Sequence, residues 1–209
     1  MQLFSDNGKT LYGAYGNRIH NEIRDVIRKL KEDPDTRQAV LPIIREFDLR
    51  VQTKDFPCTQ VLQFMIREKK LHLFVTMRSN DFIWGLQYDL PVFTTFQEII
   101  ANTLGLEVGE YWHTANSLHV YEYHFELLDA IQTLHPIEFS VPYKLGDMDS
   151  IYPLVAQIHE GYSNAVFSFP EYESSLFHRT LKAFLDKKER RPFEPFPQEL
   201  QWAEQFVQY

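Results

Sequence analysis

Between residues 19 and 30, Ile19, Ile23, Val26, Ile27 and Leu30 recur at three- and four-residue intervals among charged positions, which predicts an amphipathic helix. Asn21 is a candidate cap near its start, and Pro34 should end it, because the residue before a proline avoids the helical region. "AVLPII" (39–44) and "VLQFMI" (61–66) read as buried strands. "LHLFVTM" (71–77) alternates, with Leu71, Leu73, Val75 and Met77 on one face. The polar "EKK" between the last two predicts a tight turn and an antiparallel pair. "TTFQEIIANTLG" predicts a helix closed by Gly105, and the stretch from Glu110 gives short strand pieces, then a helix from about Tyr121. Beyond residue 135 the texture changes to proline-broken segments and an amphipathic helix over 170–191, with Leu176, Phe177, Leu181, Phe184 and Leu185 inward. The pattern is α+β: a mixed β-sheet with packed helices, plus a helical C-terminal extension. We expect a core over 1–134 and a divergent, mostly helical region over 135–209 packed on the same domain.

Composition narrows the class. The 209 residues suit one domain with an extension, and 44% hydrophobic content supplies a substantial core. The formal charge of −8 argues against a broad grip on nucleic acid. A single cysteine excludes an internal disulfide framework and a multi-cysteine zinc site, so no metal is expected, and it fits a reducing compartment. No apolar run approaches the roughly 18 residues of a membrane span, and the N-terminus lacks a secretory signal pattern. The expectation is a soluble, cytoplasmic protein with no membrane partner.

Three stretches carry candidate chemistry. The lone Cys58, in "FPCTQ", is by residue type either a small core hydrophobe or a nucleophile. "MRSNDFIWGLQYD" gathers Arg78, Ser79, Asn80 and Asp81 after a clean strand, with Asp89 eight residues further on; an ordinary polar turn is the alternative. "NSLHVY" sets His119 and Tyr121 two apart, facing one way if extended.

Together with "YG" (15–16), "DPDTR" (33–37), "PCTQVLQFMIREKKLHLFVTMRSND" (57–81), "GLQYD" (85–89), "LEVGEYWH" (106–113) and "SLHVYEYH" (117–124), these stretches resemble the thymidylate synthase family, and its deoxycytidylate hydroxymethylase branch in particular. The resemblance covers about residues 4 to 130. It implies that Cys58 adds to carbon 6 of a pyrimidine nucleotide and makes carbon 5 nucleophilic. Carbon 5 would then take a one-carbon unit from 5,10-methylenetetrahydrofolate, with water capture giving hydroxymethyl. By the same resemblance Arg78 and Ser79 bind phosphate, and the Arg78 charge should lower the thiol pKa. His119 and Tyr121 hold the sugar hydroxyl, Tyr15 stands near the reacting carbon, and Asp81 borders the folate pocket. Arg37 reaches the phosphate of the partner in a homodimer. Asp89 takes the place of the asparagine that reads uracil. A carboxylic acid can accept from cytosine's exocyclic amine and donate to its ring nitrogen, so the resemblance implies a cytosine monophosphate. A helix N-cap before "LPVFTTF" is the structural alternative for Asp89.

The chain departs from the family's pattern in several ways. It begins with Met1 just before "LYGAYG", without a counterpart of the family's N-terminal arginine and glutamate; Gln38 stands where a second arginine is expected; and "HTANS" replaces a glycine-containing turn. Residues 135–209 show no resemblance. Three readings therefore stay open: a pyrimidine-nucleotide hydroxymethyltransferase, on cytidylate or, alternatively, of a uridylate type; a nucleotide-binding module without carbon transfer; and altered chemistry on the same adduct. With the N-terminal glutamate lacking, turnover is expected to be slow. Glu171, Glu173, His178 and Arg179 are candidate substitutes by residue type only.

Overall fold

The computed structural model describes residues 5–8, 10–132, 145–151 and 153. The chain divides into two units, one of 1–138 with 145–149, the other of 139–144 with 150–209. The second lies almost wholly outside the described residues, as do the amphipathic helix expected at 170–191 and the four candidates at 171–179.

The first unit is an α+β structure built on a mixed sheet. Strands β1 (Val40–Pro42), β2 (Thr59–Arg67), β3 (Lys70–Met77) and β5 (Glu107–Ala115) lie in that order, antiparallel except for the parallel β3–β5 pair. A second, two-stranded sheet pairs β4 (Asn80–Asp81) with β6 (Leu118–His119) in parallel. One face of the large sheet, carrying Leu41, Leu62, Phe64, Leu71, Leu73, Val75 and Met77, is buried. It forms one core with Ile23, Val26, Ile27 and Leu30 of helix α2 (Glu22–Glu32) and with Phe93, Ile100 and Ala101 of helix α3 (Leu86–Leu104). The alternation read along 71–77 is thus the core face itself.

Local signals explain most boundaries. Glu68 and Lys69 have φ of 53° and 62°, the two left-handed residues that a tight hairpin needs, so β2 and β3 pair directly. Helix α2 stops at Glu32, with Asp33 extended before Pro34. Asn21 occupies its N-cap position but makes no side-chain cap bond; a separate short helix, α1 (Tyr15–Ile19), precedes it. Gly105 closes α3 at φ 67°.

Two findings differ from the sequence pattern. Helix α3 begins at Leu86, well before Thr94, and runs through Pro91. Pro91, sixth in the helix, has no N–H to give the Gln87 carbonyl, so the helix continues there without that internal bond. Asp89 therefore lies in the first turn rather than at the N-cap, which is Gly85. The second difference is a bulge between β3 and β5: Leu71 pairs with Val108, but Leu73 pairs with Tyr111. The extra residue reverses which side chains face inward, so Tyr111 and His113 turn toward α3. Gln97, 1% exposed, braces the bulge from α3, its Nε2 reaching the carbonyls of Leu71 (2.8 Å), Gly109 (3.2 Å) and Glu110 (3.1 Å). At Gly109 a Cβ would sit 2.9 Å from the Leu71 carbonyl, so the bulge requires glycine there.

A buried ion pair ties α1 to the segment before β2. Arg18 donates to both oxygens of Asp48 (2.7 and 3.1 Å) and to the carbonyls of Tyr12 and Ile43. Tyr12 and the Arg45 amide complete the carboxylate's partners at 2.6 and 2.7 Å. Burial pushes the Asp48 carboxyl up, but these donors outweigh it and hold it at about 2.

Candidate active site

The hairpin creates the first pairing of functional groups. Cys58 immediately precedes β2 and Arg78 immediately follows β3, and the ladder continues through them: the Arg78 amide donates to the Cys58 carbonyl at 2.9 Å. Arg78 Nη2 consequently lies 3.7 Å from Cys58 Sγ. Its Nε donates to the Pro57 carbonyl (2.9 Å) and Nη2 to that of Phe56 (3.1 Å), while the guanidinium covers the Phe56 ring at 5.3 Å. The arginine thus clamps the loop that presents the thiol, and Nη1 remains for an anion. Ser79 follows, half-buried.

Helix α3 brings Asp89 to the same place from the other side, and α1 brings Tyr15. Tyr15 packs on Phe93, one helical turn beyond Asp89, with ring centroids 5.3 Å apart. The electrostatics show these groups acting on one another. Burial raises the Cys58 thiol; Arg78 pulls it down, but Asp89 and Asp55 push it further up, and the thiol ends above its ordinary value. The expected effect of Arg78 is present and outweighed, because desolvation disfavours a thiolate held beside two carboxylates. Burial lifts Asp89 to about 6, against an opposing contribution from the Tyr15 phenol. Tyr15 is itself raised, first by burial and then by Asp89, with Cys58 adding to it. Cys58, Arg78, Asp89 and Tyr15 are therefore one cluster.

The remaining expected residues stand in other settings. Asp81 folds the turn into α3: its Oδ1 accepts from the amides of Ile83 (2.6 Å) and Trp84 (2.7 Å), while Oδ2 is buried without a partner. Beside it Trp84 is exposed, its indole N–H bonded to His124 Nε2 at 2.8 Å. An unpartnered carboxylate oxygen next to an exposed indole fits a flat heterocycle bearing N–H donors, as a folate does. His119 lies next to Asp81 across the β4–β6 pair, and its ring meets Tyr121 edge-on at 5.1 Å. Arg37 is exposed ahead of β1, engaged through its backbone carbonyl by Gln63, and does not join the cluster within this chain.

Residues that the sequence did not single out lie behind Asp89. Tyr111 Oη is 2.7 Å from His113 Nδ1, and His113 Nε2 is 2.9 Å from Asn80 Nδ2. Asp89 acts on Tyr111, whose phenol is raised by burial first and by that carboxyl second. The signal in the sequence was the i, i+2 pair in "YWH", but its inward direction depends on the bulge.

Comparison with known proteins bears on this arrangement. A family model described as Thymidylate synthase matches residues 5–150. A deoxyuridylate hydroxymethyltransferase of Bacillus phage SP01 is 39% identical over 157 residues, covering 66% of this chain and 41% of the relative. One from Pseudomonas phage M6 is 32% identical over 185 residues, covering 81% of this chain and 52% of the relative. The chain spans about half the length of these curated relatives. With the family model matching well over half of its residues, the chain belongs to the thymidylate synthase family.

Proposed function

We infer that the protein is a one-carbon transferase that places a hydroxymethyl group on carbon 5 of a pyrimidine nucleoside monophosphate. The observation that carries this reading is the thiol–guanidinium pair at 3.7 Å, clustered with a carboxyl that burial lifts to about 6 and with a phenol. Cys58, as the thiolate, adds to ring carbon 6, and the electron pair pushed to carbon 5 makes that carbon the nucleophile. Arg78 supports the step twice, by clamping the Phe56–Pro57 carbonyls and by lowering the thiol against its burial. With Ser79 its free edge receives the phosphate, a charge-assisted contact. His119 and Tyr121 take the sugar hydroxyl, Tyr15 guards the reacting face, and Asp81 Oδ2 borders the folate. Methylenetetrahydrofolate, when bound, supplies the one-carbon unit at the oxidation level of formaldehyde. Loss of the carbon 5 proton would break the bond between the transferred carbon and the folate nitrogen, releasing tetrahydrofolate and leaving an exocyclic methylene; water would add to that carbon, and departure of the Cys58 thiolate would restore the ring.

Base identity turns on Asp89. As a carboxylic acid it reads cytosine by donating to N3 and accepting from the exocyclic amine. With the proton on its other oxygen it reads uracil, accepting from N3–H and donating to O4. Both relatives are named for deoxyuridylate, and so a deoxyuridylate reading stands beside the cytidylate one. The test is purified protein with deoxyuridine or deoxycytidine monophosphate, the ribonucleotides, and methylenetetrahydrofolate, following carbon 5 hydrogen release and hydroxymethyl product. Product from one base, and none from Cys58→Ala, is expected. Binding without hydrogen release would favour a nucleotide-binding module, and undiminished release in Cys58→Ala would overturn the covalent mechanism.

A further inference from the structure

The loop that presents the thiol and the segment that leads to Tyr15 are fastened together by two carboxylates acting in opposite directions. Asp6 reaches from the N-terminal stretch into the loop, its Oδ2 accepting from the Thr53 hydroxyl (2.5 Å) and its Oδ1 from the Lys54 amide (3.0 Å). Asp55 reaches back the other way. Its Oδ2 accepts from the Gly13 amide at 2.7 Å, while its own amide donates to Thr53 Oγ1 at 3.1 Å. The two backbones meet closely here. A Cβ on Gly13 would stand 2.6 Å from the Asp55 carbonyl oxygen, and Gly13 does not have a positive φ, so the glycine serves this approach rather than a left-handed turn. Two residues after Gly13 comes Tyr15, packed on Phe93; three after Asp55 comes Cys58. Arg78 holds the loop at its other end, taking the carbonyls of Phe56 and Pro57 through its side chain and that of Cys58 through its amide.

We propose that Asp55 is a positioning residue for the one-carbon transfer: it locks the Tyr15 segment to the Cys58 loop, so that phenol and thiol keep one geometry at the reacting carbon. The Arg18–Asp48 pair holds the body of α1. Residues 10–14 and 51–58, by contrast, contain neither helix nor strand, and no ladder joins them. A bond from a carboxylate to a backbone N–H is charge-assisted and stronger than a neutral one, which suits a contact that has to fix two irregular segments. The geometry it protects is demanding, since a misplacement of about 1 Å can cost on the order of a hundredfold in rate. The groups facing Cys58 are Arg78 from the end of β3, Asp89 from α3, Asp55 from its own loop and Tyr15 from α1. Of the charged ones, Asp55 is bonded to the backbone that leads to Tyr15. The kinetic part of the proposal rests on the hydroxymethyltransferase reading; the lock itself does not.

Three variants of the full chain test it. Asp55→Ala removes the acceptor, Gly13→Ala forces the two backbones apart from the other side, and Asp55→Asn keeps an acceptor oxygen for the Gly13 amide without the charge. Without nucleotide, Asp55→Ala should quicken exchange of the Gly13 amide and shift the Tyr15 ring carbon-13 resonances, and Asp55→Asn should restore both. An unchanged Gly13 amide or an unmoved Tyr15 ring would overturn the lock; should Asp55→Ala not fold, the Tyr15 ring in Gly13→Ala makes the same comparison. With nucleotide and methylenetetrahydrofolate, Asp55→Ala and Gly13→Ala should each lower kcat by about tenfold, with KM for the nucleotide nearly unchanged, because the phosphate and sugar are held by other residues. The double variant should be no slower than either single one, as expected of two changes that break one contact, and Asp55→Asn should recover most of kcat. A loss confined to KM, additive losses, or no recovery in Asp55→Asn would overturn the positioning role. If the native chain turns over no pyrimidine nucleotide, the hydroxymethyltransferase reading falls, and the lock is decided by the amide exchange and the Tyr15 resonances alone.

Discussion

Single side chains in the cluster have protonation states that oppose one another, and this makes them measurable. The Cys58 thiol is raised by its burial more than Arg78 lowers it. Its alkylation by iodoacetamide should therefore accelerate only above the ordinary thiol range of about 8.5. Arg78→Ala should move that profile higher still, and Asp89→Asn should move it lower; shifts in the opposite senses would mean that the thiol does not feel these groups. Asp89, lifted to about 6, loses its proton as the pH rises through that value. If the protonated acid reads the base, nucleotide affinity should fall over the same range, and Asp89→Asn should remove the fall. Calorimetric titration at pH 5.5 and 7.5 checks both. A flat profile in the native chain would leave Asp89 without the reading role.

Elements are held in place by a few buried polar devices, and each predicts a specific loss. The Arg18–Asp48 pair joins α1, which carries Tyr15, to the segment leading to Cys58. Removing one partner of such a pair strands the other charge and costs about 3–5 kcal/mol. Asp48→Ala should lower the melting temperature accordingly, and a change near zero would show the pair to be dispensable. The sign of its pH dependence follows from the direction of the shift. A carboxyl held below its ordinary value of 3.8 stabilises the fold above that pH, and the contribution disappears as pH falls toward about 2. Gln97 acts differently, since it supports the bulge rather than a charge. Gln97→Leu would remove a donor shared by three carbonyls, of which the Leu71 contact is buried, at a cost of about 1–3 kcal/mol. It should also perturb Tyr111 and His113 before it perturbs α2, which amide exchange would resolve.

At the scale of the molecule, the open face of the large sheet is the feature without a covering element among the described residues. It exposes Val40 and Trp112, and Phe74 stacks on Trp112 at a centroid distance of 6.3 Å. Arg37 lies at the start of the edge strand β1 of that sheet. A second copy of the chain covering this face is the expected homodimer, with Arg37 carried to the neighbouring phosphate site. Sedimentation should give a dimer, and Trp112→Lys should dissociate it. A native monomer with full nucleotide affinity would remove both the dimer and the Arg37 role. Among the described residues no helix is long and apolar enough to cross a membrane.

The sequence by itself determined what depends on neighbours along the chain. Alternation over 71–77 decided the core face and the turn at 68–69 decided the hairpin, which brings Cys58 and Arg78 to the same end; a one-residue irregularity between Thr59 and Val61 then sets Arg78 opposite the cysteine. Proline and glycine marked the ends of α2 and α3. The "MRSND" and "SLHVY" stretches were sufficient for the family. What only the tertiary structure decided depends on contacts between distant segments. That Asp89 lies inside α3 rather than at its cap follows from the turn organised by Asp81 and from the packing of Phe93, neither of which periodicity near Pro91 reveals. The thiol's raised pKa arises from burial and from Asp89, more than thirty residues away in sequence. The inward direction of Tyr111 and His113 comes from one bulge residue braced by Gln97 across the sheet–helix interface. A single-residue shift of register reverses every later side chain on a strand, and nothing along the strand records which face the bulge will choose until the helix packs against it.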